Sequence, residues 1–163
     1  MNRNIINAVT SLRIFFGFLF FYAVLFHLNS VYLLIIFILT AVSDVVDGWL
    51  SRKYSLSSDN GAKYDVICDF IFIMLSTSAL VLTGLMPVWF LAVIVLKIIE
   101  FFKTSNDDSL QYDNFGHLVA LMFYAFPIVA VMLNNRFIVF VLAVFVTLCA
   151  LISSISRIYR KIY

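Results

Sequence analysis

The sequence predicts an all-α integral membrane protein of six transmembrane helices, and three observations predict it. Of 163 residues, 64% are hydrophobic and only 12% charged, with a mean hydropathy of +1.06, against roughly 45–50% apolar and 25% charged in soluble domains. One core of this size cannot hide so much apolar surface, so lipid must solvate the remainder. The apolar residues fall into six runs, at 8–28, 31–50, 61–82, 87–102, 115–133 and 137–158, most of them near the ~20 residues that carry a helix across a bilayer. Lysine and arginine gather at one set of joints and avoid the other. Helices are required because lipid offers no hydrogen-bond partner to an open backbone.

The first run follows Met1-Asn2-Arg3 as a signal peptide would. No small-residue cleavage site follows Phe26-His27, and hydrophobicity resumes at once, so the segment is read as a retained helix. The turn-like joint His27-Leu28-Asn29-Ser30 ends it, and the second run closes on the polar stretch 51–60. The third run returns to the joint Gly84-Leu85-Met86-Pro87. The fourth, the shortest, spans a bilayer only with tilt or local thinning, and leads into the polar stretch 103–114. The fifth carries Pro127, for which a kink is expected. Asn134-Asn135-Arg136 joins it to the sixth.

Arg3, Arg52, Lys53, Lys63, Lys103, Arg157, Arg160 and Lys161 fall on the side holding both termini, Arg136 falls opposite, and Arg13 and Lys97 lie within spans. This bias places both termini and the long loops in the cytoplasm, in a multi-pass protein of the cell membrane. No repeat or linker divides the chain, so one membrane domain is expected over 1–163. A net charge of +2 gives no basis for nucleic-acid binding. Cys68 and Cys149 lie in apolar runs without metal-binding spacing and are expected to be buried and inert.

Four aspartates stand against the hydrophobic trend. Asp44 and Asp47 close the second span, and Asp65 and Asp69 open the third. An ionised side chain costs roughly 2.5–3.5 kcal/mol at a helix centre, less near the interface. A chain of this size carries four only with a compensating ion or substrate. Spacings of three and four put each pair on one helix face, and spans joined by so short a loop are antiparallel neighbours. Both pairs then meet at similar depth, in a cytoplasmic-facing site between helices 2 and 3. Clustered carboxylates suit Mg²⁺ or Mn²⁺, and two such ions about 3.5–4 Å apart can clamp a phosphoryl group in transfer. Gly48 permits close approach, Arg52 can fork onto phosphate oxygens, and Gly61 opens a helix whose amides favour an anion.

The stretch Asp44-Val-Val-Asp47-Gly48-Trp-Leu-Ser51-Arg52, eight residues, then Gly61-Ala-Lys-Tyr-Asp65-Val-Ile-Cys-Asp69 resembles the CDP-alcohol phosphatidyltransferase signature D-x2-D-G-x2-A-R-x8-9-G-x3-D-x3-D. Only Ser51 departs from it, standing where the family has alanine. Upstream, Asn7-Ala-Val-Thr10-Ser-Leu-Arg13 is similar to the N-x-[LV]-T-x2-R opening of many members. The resemblance implies that Asp44, Asp47 and Asp65 hold two metal ions, to which Asp69 is also a candidate ligand, and that Asp69 is the general base. Gly48, Ser51, Arg52 and Gly61 would line the CDP site, with Asn7 and Thr10 reaching it from the first helix. An alcohol would attack the lipid-bearing phosphorus of a CDP-linked lipid and CMP would leave. Membrane lipids are the other expected partners, and a homodimer is expected by family analogy.

The acceptor stays open. The phosphatidylglycerophosphate synthase branch reads L-D-P-x-A-D-K over its last two aspartates, whereas this chain reads Tyr64-Asp65-Val66-Ile67-Cys68-Asp69-Phe70. Inositol phosphate, serine, glycerol and glycerol phosphate are all candidates, as are diacyl and ether-linked donors. Two rival readings are a head-group phosphotransferase moving choline or ethanolamine phosphate onto diacylglycerol, and a divalent-cation or proton transporter using the acids as a relay. Among other polar residues, Arg13 either belongs to the opening motif or snorkels to the interface. Lys97 and Glu100, three apart, read as a mutual ion pair, with Lys97 and Lys63 meeting a phosphate or carboxylate on the acceptor as the alternative. Asp107, Asp108 and Asp113 read as a solvated loop, His117 as an interfacial residue, and Trp49, Trp89, Tyr159 and Tyr163 as interfacial anchors.

Overall fold

A computed structural model describes residues 3–54, 59–104 and 114–162, with side chains for 8–54, 61–103 and 116–156. Among these residues every element is helical: α1 (Arg3–Leu25), α2 (Ser30–Lys53), α3 (Asp59–Leu82), α4 (Trp89–Thr104), α5 (Asn114–Leu133) and α6 (Arg136–Ile162). The six helices coincide with the six apolar runs, and the protein is an all-α membrane protein. Five stretches are long and apolar enough to cross a bilayer, Ala8–Leu25, Ser30–Lys53, Gly61–Leu82, Gly116–Leu133 and Arg136–Ser156. Helix α4 has 16 residues, a rise of about 24 Å. Asp107, Asp108 and Asp113 and the side chains of Arg157, Tyr159, Arg160, Lys161 and Tyr163 lie outside the described residues.

The short joints are built by capping. His27, Gly84 and Asn134 each follow a helix with φ of 52°, 70° and 44°, the left-handed conformation that ends helices. After α1, Leu28 N–H donates to Ala23 O (2.9 Å) and His27 N–H to Val24 O (3.0 Å). After α3, Leu85 N–H reaches Leu80 O and Gly84 N–H reaches Val81 O, both at 2.9 Å. Both pairs form the Schellman pattern that satisfies orphan carbonyls. Two asparagines then start the next helices: Asn29 Oδ1 accepts from Val31 N–H (3.1 Å), and Asn135 Oδ1 accepts from Phe137 N–H (3.0 Å) and Ile138 N–H (3.2 Å).

The chain falls into two compact units, Met1–Ala79 and Leu80–Tyr163. In the first, α1 packs against α2 and α3. Phe72 of α3 meets Phe20 of α1 and Phe37 of α2, with ring centroids 6.1 and 6.4 Å apart. Gly17 sets the α1–α3 approach, because a Cβ there would stand 3.3 Å from Phe72 Cα and 3.0 Å from Leu75 Cδ1. Two buried hydroxyls bond back to their own helix, Thr40 to Ile36 O (2.8 Å) and Ser76 to Phe72 O (2.7 Å), so they lie in apolar surroundings at little cost. The outward face is oily: Phe15 and Val45 are 60% and 67% exposed, tolerable where the solvent is lipid.

In the second unit, Phe90 of α4 packs on Phe126 (4.9 Å) and Phe123 (5.6 Å) of α5. Helix α4 meets α6 through a polar knot. Lys97 Nζ donates to Glu100 Oε2 (3.0 Å), Ser154 Oγ (3.1 Å) and Ala150 O (3.4 Å), and Ser154 Oγ donates to Glu100 Oε2 (2.5 Å). The ion-pair reading of Lys97 and Glu100 therefore holds. Pro127 is buried inside α5. Cys68 is buried as expected, whereas Cys149 is partly exposed, because its position on α6 turns it off the packed face.

Candidate functional site

Three helix segments converge in the first unit. The site residues lie about ten residues into α1, in the second half of α2 and in the first half of α3, roughly 10–15 Å from the helix ends that share one side. Antiparallel running of successive helices is what brings these three segments to one depth.

At the centre is Arg13, whose side chain is fully buried. One terminal nitrogen serves each neighbouring helix. Nη2 lies 2.8 Å from Asp44 Oδ1 and 2.5 Å from Asp47 Oδ2, on α2. Nη1 lies 2.6 Å from Asp65 Oδ1 and 2.5 Å from Asp69 Oδ1, on α3. The bonds to Asp47 and Asp69 are aligned hydrogen bonds, whereas Asp65 Oδ1 is held as an ion pair only. Among the described residues Arg13 Nε is buried without a hydrogen-bond partner. Snorkelling is thereby excluded for this side chain: it points inward, and its charge is answered by the acids.

The four carboxylates differ in exposure. Asp47 is nearly sealed at 6%, and Asp69, Asp65 and Asp44 rise through 32%, 39% and 49%. Asp47 is also fixed by Thr10, whose Oγ1 donates to Oδ2 at 2.7 Å. Ser11 Oγ and Tyr64 Oη, 2.8 Å apart, tie α1 to α3 beside the cluster. So sealed an acid is stable only with its partners in place, whereas the more open ones face a space from which a ligand can arrive.

The donor set fits a hard divalent cation. Asp44, Asp47 and Asp65 each offer a carboxylate oxygen, all within 4.8 Å of one another. Mg²⁺ holds oxygens at about 2.0–2.1 Å, so ligands across the ion stand about 4.2 Å apart, and small side-chain movements suffice. Counted as ionised, four acids meet one guanidinium, and among the described residues no other Lys or Arg forms an ion pair with them. Negative charge in excess of its counter-ion, in a partly desolvated cluster, favours a multivalent cation. Asp69 joins through Arg13 and stands outside the triad.

The remaining expected residues divide. Gly48 is half-buried with the Arg52 guanidinium beside it, and a Cβ at Gly48 would meet Arg52 Nη1 at 3.6 Å, an ordinary contact. Among the described residues no protein atom beyond the helix's own backbone demands glycine there. Arg52 is exposed, Ser51 half-buried, and Gly61 stands in the first turn of α3. Asn7 lies on α1, but its side chain is outside the described residues. Lys53 Nζ sits 4.3 Å over the Trp49 ring, in keeping with an interfacial anchor. Sequence reasoning passed over Tyr64 and Ser11, which carry no motif signal, and placed Arg13 in the opening motif without a role.

Comparison with known proteins adds one finding: the sequence profile of the CDP-alcohol phosphatidyltransferase family matches residues 3–151. No curated protein and no solved structure matches the chain.

Proposed function

We propose, from the premise that the chain belongs to the CDP-alcohol phosphatidyltransferase family, that it transfers a phosphatidyl group from a CDP-activated lipid to a small alcohol. The observation that carries the reading is the convergence of Asp44, Asp47, Asp65 and Asp69 from α2 and α3 on one point. Mg²⁺ or Mn²⁺, held by Asp44, Asp47 and Asp65 as two ions, would supply charge neutralisation at the pyrophosphate and polarise the phosphorus under attack. The support for this ligand set is the closeness of its three oxygens.

Asp69 then takes the proton from the acceptor hydroxyl. The acceptor oxygen forms a bond to the lipid-bearing phosphorus, the bond from that phosphorus to the CMP oxygen breaks, and CMP leaves. Arg52 presents a two-nitrogen fork to phosphate oxygens from an exposed position. Gly48, Ser51 and Gly61 line the nucleotide path, with Asn7 reaching it from α1. Thr10 acts through Asp47, which its hydroxyl orients. The freedom at Gly48 from any packing constraint supports a ligand as the reason for glycine there.

The site faces the cytoplasm with both termini on that side of the cell membrane, supported by the lysine and arginine bias. α4 crosses with the other five helices, and the working form is a homodimer of single-domain chains. The test is purified protein given CDP-diacylglycerol or its ether analogue, Mg²⁺ or Mn²⁺, and in turn glycerol phosphate, inositol phosphate, serine and glycerol. CMP release with one new lipid supports the reading. Product only from CDP-choline or CDP-ethanolamine with diacylglycerol would replace it, as would nucleotide-independent ion flux into liposomes.

A further inference from the structure

We propose that Arg13 is a positioning residue: an internal counter-cation that gathers the four carboxylates and yields the α2 and α3 acids to divalent ions as these bind. The inference rests on the metal-site reading above and concerns how that site is held and loaded. Its starting point is the division of labour within one guanidinium, Nη2 serving Asp44 and Asp47 and Nη1 serving Asp65 and Asp69. Among the described residues no other contact joins all four acids. Arg13 is fully buried, and its side chain leaves α1 one turn before Gly17, where α1 closes on α3. The arginine is thus committed to this cluster by packing.

The three carboxylates close enough to share an ion are three of the four that Arg13 holds. A divalent ion and a guanidinium drawing on the same acids repel one another and compete for carboxylate lone pairs. Among the described residues Arg13 Nε has no hydrogen-bond partner, so the arginine's seat is incompletely satisfied. Apparent metal affinity is then the intrinsic affinity reduced by the fraction of molecules in which the acids are released. If Arg13 holds them nine-tenths of the time, removing it tightens metal binding about tenfold. A merely structural arginine behaves oppositely, since its loss splays the acids and weakens both the fold and the site.

The experiment is a titration of purified wild type and Arg13→Met with Mn²⁺, reading free Mn²⁺ by electron paramagnetic resonance, beside thermal melts in chelator and in saturating Mn²⁺. The expected result is a lower melting temperature for Arg13→Met in chelator, Mn²⁺ binding at least about tenfold tighter, and a larger stabilisation by Mn²⁺ than in wild type. Binding equal to or weaker than wild type overturns the proposal. Should Arg13→Met fail to fold in chelator, Arg13→Lys carries the test. Its compact ammonium reaches fewer of the acids, so Mn²⁺ must bind it more tightly than wild type, and equal or weaker binding again overturns the proposal. Wild type that takes up no Mn²⁺ sinks the metal-site reading instead, which is a separate outcome.

Discussion

Asp69→Asn isolates the proposed proton acceptor from the rest of the site. The substitution keeps shape and one acceptor oxygen but removes the charge and the basicity. In the structure Arg13 retains Asp44, Asp47 and Asp65 at 2.8, 2.5 and 2.6 Å, and those three acids form the metal-binding triad. The cluster should therefore stay assembled. A hydrogen bond between two charges becomes one from a charged donor to a neutral acceptor, a loss of about 1 kcal/mol, trimmed further because the Asp69 side chain is 32% exposed. Chemistry should suffer far more, since loss of a general base costs about 10²–10⁴ in rate, or roughly 3–5 kcal/mol of barrier. The assay is CMP release under saturating donor and acceptor, with Mn²⁺ affinity measured on the same preparation. Turnover within tenfold of wild type, or Mn²⁺ binding lost together with turnover, would refute the division of roles between Asp69 and the triad.

Gly17→Leu places side-chain atoms where a Cβ alone would already be 3.3 Å from Phe72 Cα; overpacking should cost about 1–3 kcal/mol and reduce CMP release as α1 backs away from α3. Gly17→Ala should cost less than Gly17→Leu in thermal melts, because the Leu75 tip can rotate and about 1 kcal/mol of helix propensity offsets the shift that a Cβ 3.3 Å from Phe72 Cα demands. Thr10→Val removes the hydroxyl 2.7 Å from the sealed Asp47, a loss of about 1.5–3 kcal/mol, and should weaken Mn²⁺ binding less than Asp47→Asn does. Lys97→Met takes the cation from Glu100 Oε2 and breaks the α4–α6 knot. With both side chains under 20% exposed, the cost should approach the ~3–5 kcal/mol of a broken buried pair. Adding Glu100→Gln should restore most of the melting temperature, and a rise in acceptor KM in the folded single variant would restore the acceptor-binding role.

Much of this was legible in sequence because its causes are local. Asn29, Gly84 and Asn134 end or start helices through their own backbone and side-chain geometry, and the three-and-four spacing of the aspartates fixes their helix faces. The family signature added what spacing alone does not carry, and the profile match over residues 3–151 bears it out. What was not legible depends on partners far along the chain. An arginine at position 13 reads alike whether it snorkels or turns inward. The choice is made by Gly17, unremarked in a phenylalanine-rich run, and by acids 31 to 56 residues away. Lys97 and Glu100 announced their pairing, but Ser154, which closes the knot from α6, has no local signal. Thr10 was expected to reach the nucleotide site, and the hydrogen bond of its hydroxyl to Asp47, 37 residues away, carried no local signal.

The central claim is that carboxylates from two neighbouring helices assemble a divalent-metal site. The most direct measurement is Mn²⁺ uptake by chelator-stripped wild type beside Asp44→Asn, Asp47→Asn and Asp65→Asn, with donor lipid present. Saturable binding in wild type that each single substitution weakens by about tenfold or more, as loss of one charged ligand should, is the predicted result. Binding that is absent in wild type, or that survives all three substitutions unchanged, would contradict it.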